Sequence, residues 1–258
     1  MPRLDEHLPE SLRQVSEHLR LGPDVPSLVV RPISEDREGP IPFLFWMHGR
    51  TATKELDPGR YLRLARAGIG SCAIDLPGHG ERQEDDGHDL ELVLDHIEQA
   101  IDEIDDVARD LGRRGFDLRR MAIGGMSMGG MVALARLCRP HGFQAAILEA
   151  TSGNWSLQKG RQFPTTDAAD RLDPMRNLDH WREIPILAVH SRGDEWVDFE
   201  GQLGFLDAIR ERGRDPESVH MMALEETGAP HEHLGFGRRT NEVKNAEVAF
   251  LKRHLRVD

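Results

Sequence analysis

Met121-Ala122-Ile123-Gly124-Gly125-Met126-Ser127-Met128-Gly129-Gly130-Met131-Val132-Ala133-Leu134 is the stretch that decides the fold. Met121–Gly124 reads as a short apolar strand, and Met128–Leu137 as a helix closed by Pro140 and Gly142. Between them stands Gly125-x-Ser127-x-Gly129. A serine on a sharp strand-to-helix turn is forced into a strained conformation, and the small residues two places either side let neighbouring backbone approach. Its hydroxyl is then held above the sheet, at a helix N-terminus where positive dipole accumulates. The expectation is a nucleophile at Ser127.

Outward from this turn, short apolar runs alternate with amphipathic ones. Strands are expected over 27–33, 41–47, 70–75, 120–124, 145–149, 185–190 and 217–224, and helices over 56–67, 90–111, 127–137, 198–212 and 242–255. Strands alternating with helices indicate parallel βαβ units. Phe43–Met47 and Ile186–Val189 are apolar without alternation, which suits strands covered on both faces. The expected fold class is therefore α/β, a mostly parallel sheet with helices on both sides. All 258 residues are read as one domain. Thr151 to Glu183 exceeds an ordinary loop plus helix, so 151–184 is expected to form a small cap over the strand ends. A plain crossover helix over 167–181 is the competing reading.

The formal charge is −12 and no basic block occurs. That leaves no electrostatic footprint for nucleic acid or an anionic membrane surface. Met1 to Arg20 is charged throughout, without the apolar core of a secretory signal, so a cytoplasmic protein is expected. Cys72 and Cys138 are two isolated thiols rather than a disulfide framework.

A serine needs a base near neutral pH, and the base an orienting acid. Both belong after carboxyl ends of strands, where open α/β sheets build their sites. One such end reads Ser191-Arg192-Gly193-Asp194-Glu195-Trp196-Val197-Asp198, and the next Gly228-Ala229-Pro230-His231-Glu232-His233. Asp194 is expected as the acid and His231 as the base. His233 competes with His231. Asp198 stands where the next helix begins and reads as its N-cap; Glu149 also ends a strand. Two histidines without a third ligand make a poor metal site. For the oxyanion, backbone N–H groups of Met128 and Arg50 are expected, the latter in the loop His48-Gly49-Arg50-Thr51. His48 reads as a hydrogen-bonder beneath that loop. The loop Asp75-Leu76-Pro77-Gly78-His79-Gly80-Glu81-Arg82 reads as architectural, fixed by Asp75 and Arg82. Trp155 and Trp181 are expected to line a short apolar acyl pocket or to anchor the cap.

His48-Gly49, Asp75-x-x-Gly78-His79-Gly80, Gly125-x-Ser127-x-Gly129, Asp194 and His231 together resemble the α/β-hydrolase fold. The stretch from His48 to Arg82 looks like small bacterial carboxylesterases related to dienelactone-hydrolase and prolyl-oligopeptidase-type catalytic domains. The resemblance implies an eight-stranded sheet, a Ser-His-Asp triad, an acyl-enzyme mechanism on a small ester, and no cofactor. Amide or thioester hydrolysis by the same triad, and a non-catalytic binding protein, are the alternatives. Residue 127 is serine where a dienelactone hydrolase has cysteine, and the loop lacks the His-Gly-Gly-Gly of many lipases. A homodimer rests on base rates alone.

Overall fold

The computed structural model of the protein describes residues 8–33, 38–83, 90–157 and 166–257. The elements in chain order are α1 (Glu10–Arg13), β1 (Ser16–Leu21), β2 (Val25–Val30), β3 (Ile41–Met47), α2 (Pro58–Arg66), β4 (Gly70–Ile74), α3 (Val93–Arg113), β5 (Phe116–Met126), α4 (Met128–Leu137), β6 (Ala145–Glu149), α5 (Asp167–Leu172), β7 (Ile186–Ser191), α6 (Phe199–Arg212), β8 (Val219–Leu224) and α7 (Thr240–Leu255).

Eight strands form one sheet in the order β1-β2-β4-β3-β5-β6-β7-β8. Among the described residues only β1–β2 and β2–β4 pair antiparallel; the pairings from β4 across to β8 are parallel. A parallel pair needs a crossover, and the intervening helices supply it. Phe43, Phe45 and Met47 of β3 pack with α3, α4 and α6 on one face. Leu44 and Trp46 pack with α2 and α7 on the other. This two-sided burial explains the unbroken apolar run of β3.

The sheet contains one strand the sequence does not announce. β1 reads Ser-Glu-His-Leu-Arg-Leu and lies at an open edge, with most of its side chains half-buried or exposed. An edge strand needs only part of an apolar face, and charge there discourages pairing with another chain. β5 also begins earlier than its apolar core, because Phe116 pairs with Ile41 before a bulge resets the register.

The segment 151–184 follows the carboxyl end of β6. Its described part is made of α5 and short 3₁₀ turns at 155–157, 174–176 and 178–180. Ala169, Leu172 and Leu178 join the same apolar cluster as α3, α4 and α6. A continuous helix over 167–181 does not form. Residues 158–165 of the expected cap lie outside the described residues.

Candidate active site

β5 ends at Met126, and Ser127 follows with φ +52° and ψ −118°. Positive φ at a residue with a side chain is strained by about 1–3 kcal/mol and persists only where the surroundings dictate it. Here they do. Ser127 N–H donates to Glu149 O at 2.9 Å, and Thr151 Oγ1 donates to Ser127 O at 2.8 Å. A Cβ on Gly125 would lie 2.3 Å from the Gly129 carbonyl carbon, and one on Gly129 2.3 Å from Met47 O. The glycines of the motif are thus required by backbone contacts rather than by the turn alone.

Ser127 Oγ lies 2.9 Å from Nε2 of His233, whose Nδ1 lies 2.8 Å from Asp194 Oδ2. With Nδ1–H donating to the carboxylate, Nε2 is left as the acceptor for the serine hydroxyl. Asp194 Oδ1 accepts from Trp196 N at 2.8 Å and from Val197 N at 2.9 Å. A second histidine stands behind it: His190 Nε2 lies 3.2 Å from Asp194 Oδ2 and 3.1 Å from Val197 O, two acceptors that require a proton on Nε2. Burial alone would raise the Asp194 carboxyl, but the hydrogen bonds from His190 and His233 outweigh it and hold it well below the usual carboxylate range.

The histidine against the serine is therefore His233 and not His231. Glu232 between them explains the choice. Its carboxylate accepts from Thr227 N at 3.0 Å and from Ser191 Oγ at 2.5 Å, pinning the loop to its own start and to the end of β7. Leu234 N then closes a turn onto His231 O. Position 233 is directed inward, and His231 is exposed on the outer side of Trp196, with ring centroids 6.1 Å apart. Trp196 also tilts against the His233 ring at 5.0 Å.

Asp198 caps α6, its carboxylate accepting from Glu200 N at 2.9 Å. Gly49 lies beside the nucleophile: a Cβ there would be 3.4 Å from Ser127 Cβ. Arg50 follows in that loop, and Met128 N–H, in the first turn of α4, has no intrahelical acceptor. His48 Nδ1–H donates to Gly49 O at 2.7 Å, and its Nε2 accepts from Leu76 N at 3.1 Å. Burial pushes the His48 pKa down to about 4, so the ring is neutral at pH 7. Asp75 accepts from Lys54 N, Lys54 Nζ and Glu81 N, tying the two loops together. Arg82 forks onto Glu103.

Trp155 and Trp181 anchor their segment. Trp155 is buried, with Nε1–H donating to Ser152 O at 3.1 Å. Trp181 meets Phe205 of α6 edge-on at 5.5 Å. Neither is a wall of the cavity of about 370 Å³ that opens beside the elbow. Leu56, Met126, Leu234 and Phe236 give that cavity apolar walls, and Asp57, Arg60, Glu149 and Lys244 stand at its polar side.

Those charged groups form a cluster absent from the sequence reading. Arg60 reaches Glu149 and Glu247 at 2.8 Å, Asp57 at 3.2 Å, and its guanidinium stacks on Trp46 at 3.5 Å. Lys244 Nζ reaches Glu149 at 2.5 Å and Asp57 at 3.0 Å. Burial would raise Glu149, but Arg60 and Lys244 keep it ionised. Burial and the neighbouring Glu149 raise the Glu247 carboxyl above the usual carboxylate range.

The sequence pattern of the prolyl oligopeptidase family matches residues 60–258. The chain belongs to the prolyl oligopeptidase family. Esterase YjfP of Escherichia coli strain K12 is 25% identical over 249 residues, covering 90% of this chain and 96% of that one. Among solved structures, TT1662 of Thermus thermophilus is 23% identical with a TM-score of 0.72, covering 94% of this chain and 98% of its own. Acylaminoacyl peptidase of Pyrococcus horikoshii is 16% identical with a TM-score of 0.76, and the match covers 93% of this chain and 41% of the peptidase. The fold is thus the α/β-hydrolase fold, and this member of the prolyl oligopeptidase family is a serine hydrolase. No helix among the described residues is long and apolar enough to cross a membrane.

Proposed function

We propose that the protein hydrolyses small carboxylic esters through an acyl-enzyme, with Ser127, His233 and Asp194 as the triad. The observation that carries this is the pair of distances at His233, 2.9 Å to Ser127 Oγ and 2.8 Å to Asp194. Ser127 Oγ attacks the ester carbonyl carbon while His233 Nε2 takes its proton. The carbonyl oxygen becomes an oxyanion held by Arg50 N–H and Met128 N–H, each worth about 2.7–4 kcal/mol of barrier. The carbon–oxygen bond to the alcohol then breaks, and the imidazolium returns the proton to that leaving oxygen. Water, deprotonated by the same imidazole, attacks the acyl-enzyme; Ser127 leaves with the proton and the carboxylic acid departs. The anionic Asp194 favours the imidazolium at each stage.

Ester preference draws support from the esterase name of the E. coli relative, which this chain spans almost end to end. The test is hydrolysis of p-nitrophenyl acetate and butyrate against alanyl and phenylalanyl p-nitroanilides, by wild type and Ser127→Ala. Ester turnover that is lost in Ser127→Ala and exceeds anilide turnover is expected. Equal rates in the two proteins would remove Ser127 from the reaction, and faster anilide turnover would make the enzyme a peptidase.

A further inference from the structure

We infer that His190 is a positioning residue for the reaction: it anchors one oxygen of Asp194 to the sheet, so that the carboxylate, and through it the His233 ring, keeps its orientation while the proton moves. The inference rests on the triad reading of Ser127, His233 and Asp194. His190 is the last residue but one of β7 and is buried. β7 lies inside the sheet, between β6 and β8, so the backbone carrying the ring is held from both sides. The ring meets Phe199, at the start of α6, edge-on at 5.7 Å. Its Nε2–H is shared between Asp194 Oδ2 at 3.2 Å and Val197 O at 3.1 Å.

The two oxygens of Asp194 are therefore held from different places. Oδ1 accepts from Trp196 N and Val197 N, both in the loop that carries the acid itself. Among the described residues, Oδ2 accepts from two imidazoles, His233 Nδ1 and His190 Nε2. His233 is the group to be oriented and cannot serve as its own reference. As it takes the serine proton it becomes an imidazolium, and its bond to Oδ2 strengthens. With His233 as the sole partner, Oδ2 would follow the ring. With His190 in place, Oδ2 is tied to a strand that does not move with the ring. The residue type is costly for its position. His190 Nδ1 is buried and finds no hydrogen-bond partner among the described residues, and a buried nitrogen without a partner forfeits its hydration. Ile186 to Val189 of the same strand are buried and apolar, and an apolar side chain at 190 would fill the space without that loss. It would supply no N–H to Asp194.

The experiment is steady-state hydrolysis of p-nitrophenyl acetate by wild type, His190→Leu and His190→Gln, with circular dichroism to confirm folding. Leucine fills the space without a donor; glutamine returns an N–H. His190→Leu is expected to lower kcat about 10²-fold, the scale of a small misplacement of a reacting group. KM should stay within about twofold, because His233 serves acylation and deacylation alike. His190→Gln is expected to recover at least about tenfold of the loss. A folded His190→Leu with kcat within about threefold of wild type overturns the inference. So does a loss carried by KM, or one as deep in His190→Gln as in His190→Leu, which would make the ring a packing element only. His190→Phe, which keeps a ring against Phe199 and lacks the donor, gives the same readout if His190→Leu does not fold. Labelling by a fluorophosphonate separates the two levels. Wild type labelled at Ser127, with turnover unaltered in His190→Leu, overturns the positioning role alone; wild type that does not label overturns the hydrolase reading and the positioning role with it.

Discussion

Replacing His233 by glutamine, and His231 by glutamine in parallel, isolates the one side chain on which the chemistry turns. An amide at position 233 can fill the space but cannot accept and return a proton. No neighbour takes over: His190 Nε2 is committed to Asp194 and Val197 O, and His231 lies beyond Trp196. Loss of a member of a Ser-His-Asp unit costs about 10⁴–10⁶ in kcat, or about 5–8 kcal/mol at 1.36 kcal/mol per tenfold. The fold should survive. Two hydrogen bonds worth about 1 kcal/mol each are removed, and Asp194 keeps donors from His190, Trp196 N and Val197 N. His231 is exposed, and exposed substitutions stay within roughly 0.5 kcal/mol, so His231→Gln should change kcat less than about threefold. Steady-state hydrolysis of p-nitrophenyl acetate, with circular dichroism to confirm folding, reads both. A loss in His231→Gln as large as in His233→Gln would refute the geometry from which the roles are drawn.

Three further outcomes follow from the packing. Gly129→Ala pushes a methyl group to 2.3 Å from Met47 O and 2.5 Å from His48 O, backbone that cannot swing away; it should cost more than about 4 kcal/mol, while Gly204→Ala in open space within α6 should gain about 0.5–1 kcal/mol, and chemical denaturation compares them. His48 is neutral in the fold down to about pH 4 but titrates near 6.5 when unfolded; the unfolded chain binds the extra proton, so stability present above pH 6.5 is lost as pH falls to 4, by roughly 3 kcal/mol. A His48→Gln variant whose stability falls as steeply over that range would contradict this assignment. Arg60→Met removes one of the two cations on the buried carboxylate of Glu149, leaving Lys244, and should cost up to about 3–5 kcal/mol, a Tm drop of up to about 6–20 °C; an unchanged Tm would show that the cluster is neutral to stability.

The central strands and their helices were readable because double burial writes itself as unbroken apolar runs, as in Phe43–Met47 and Ala145–Leu148. The elbow was readable because its glycines serve backbone contacts that few other residues permit. β1 was hidden for the opposite reason, since an edge strand carrying Glu17, His18 and Arg20 looks like a loop. The choice between His231 and His233 was not local at all. Both follow β8, two residues apart, and the contacts that direct one inward run from Glu232 to Thr227 and to Ser191, 41 residues away. Trp155 and Trp181 illustrate a different ambiguity, because an aromatic ring in a long insertion packs on protein or on substrate with the same composition around it.

The charged cluster was equally invisible, since Arg60, Lys244 and Glu247 sit on amphipathic helices where charge ordinarily marks the wet face. Its position gives it a reason. The backbone carbonyl of Glu149 accepts the Ser127 N–H that holds the strained elbow, while the carboxylate of the same residue binds α2 through Arg60 and α7 through Lys244. An apolar plug could fill that space at equal or better stability, but it would grip neither helix directionally. Charge-assisted bonds fix the angles as well as the distances between the groups they join. One residue thereby couples the serine's backbone conformation to two helices that help bound the cavity beside it, so that nucleophile and cavity wall are set by the same contacts.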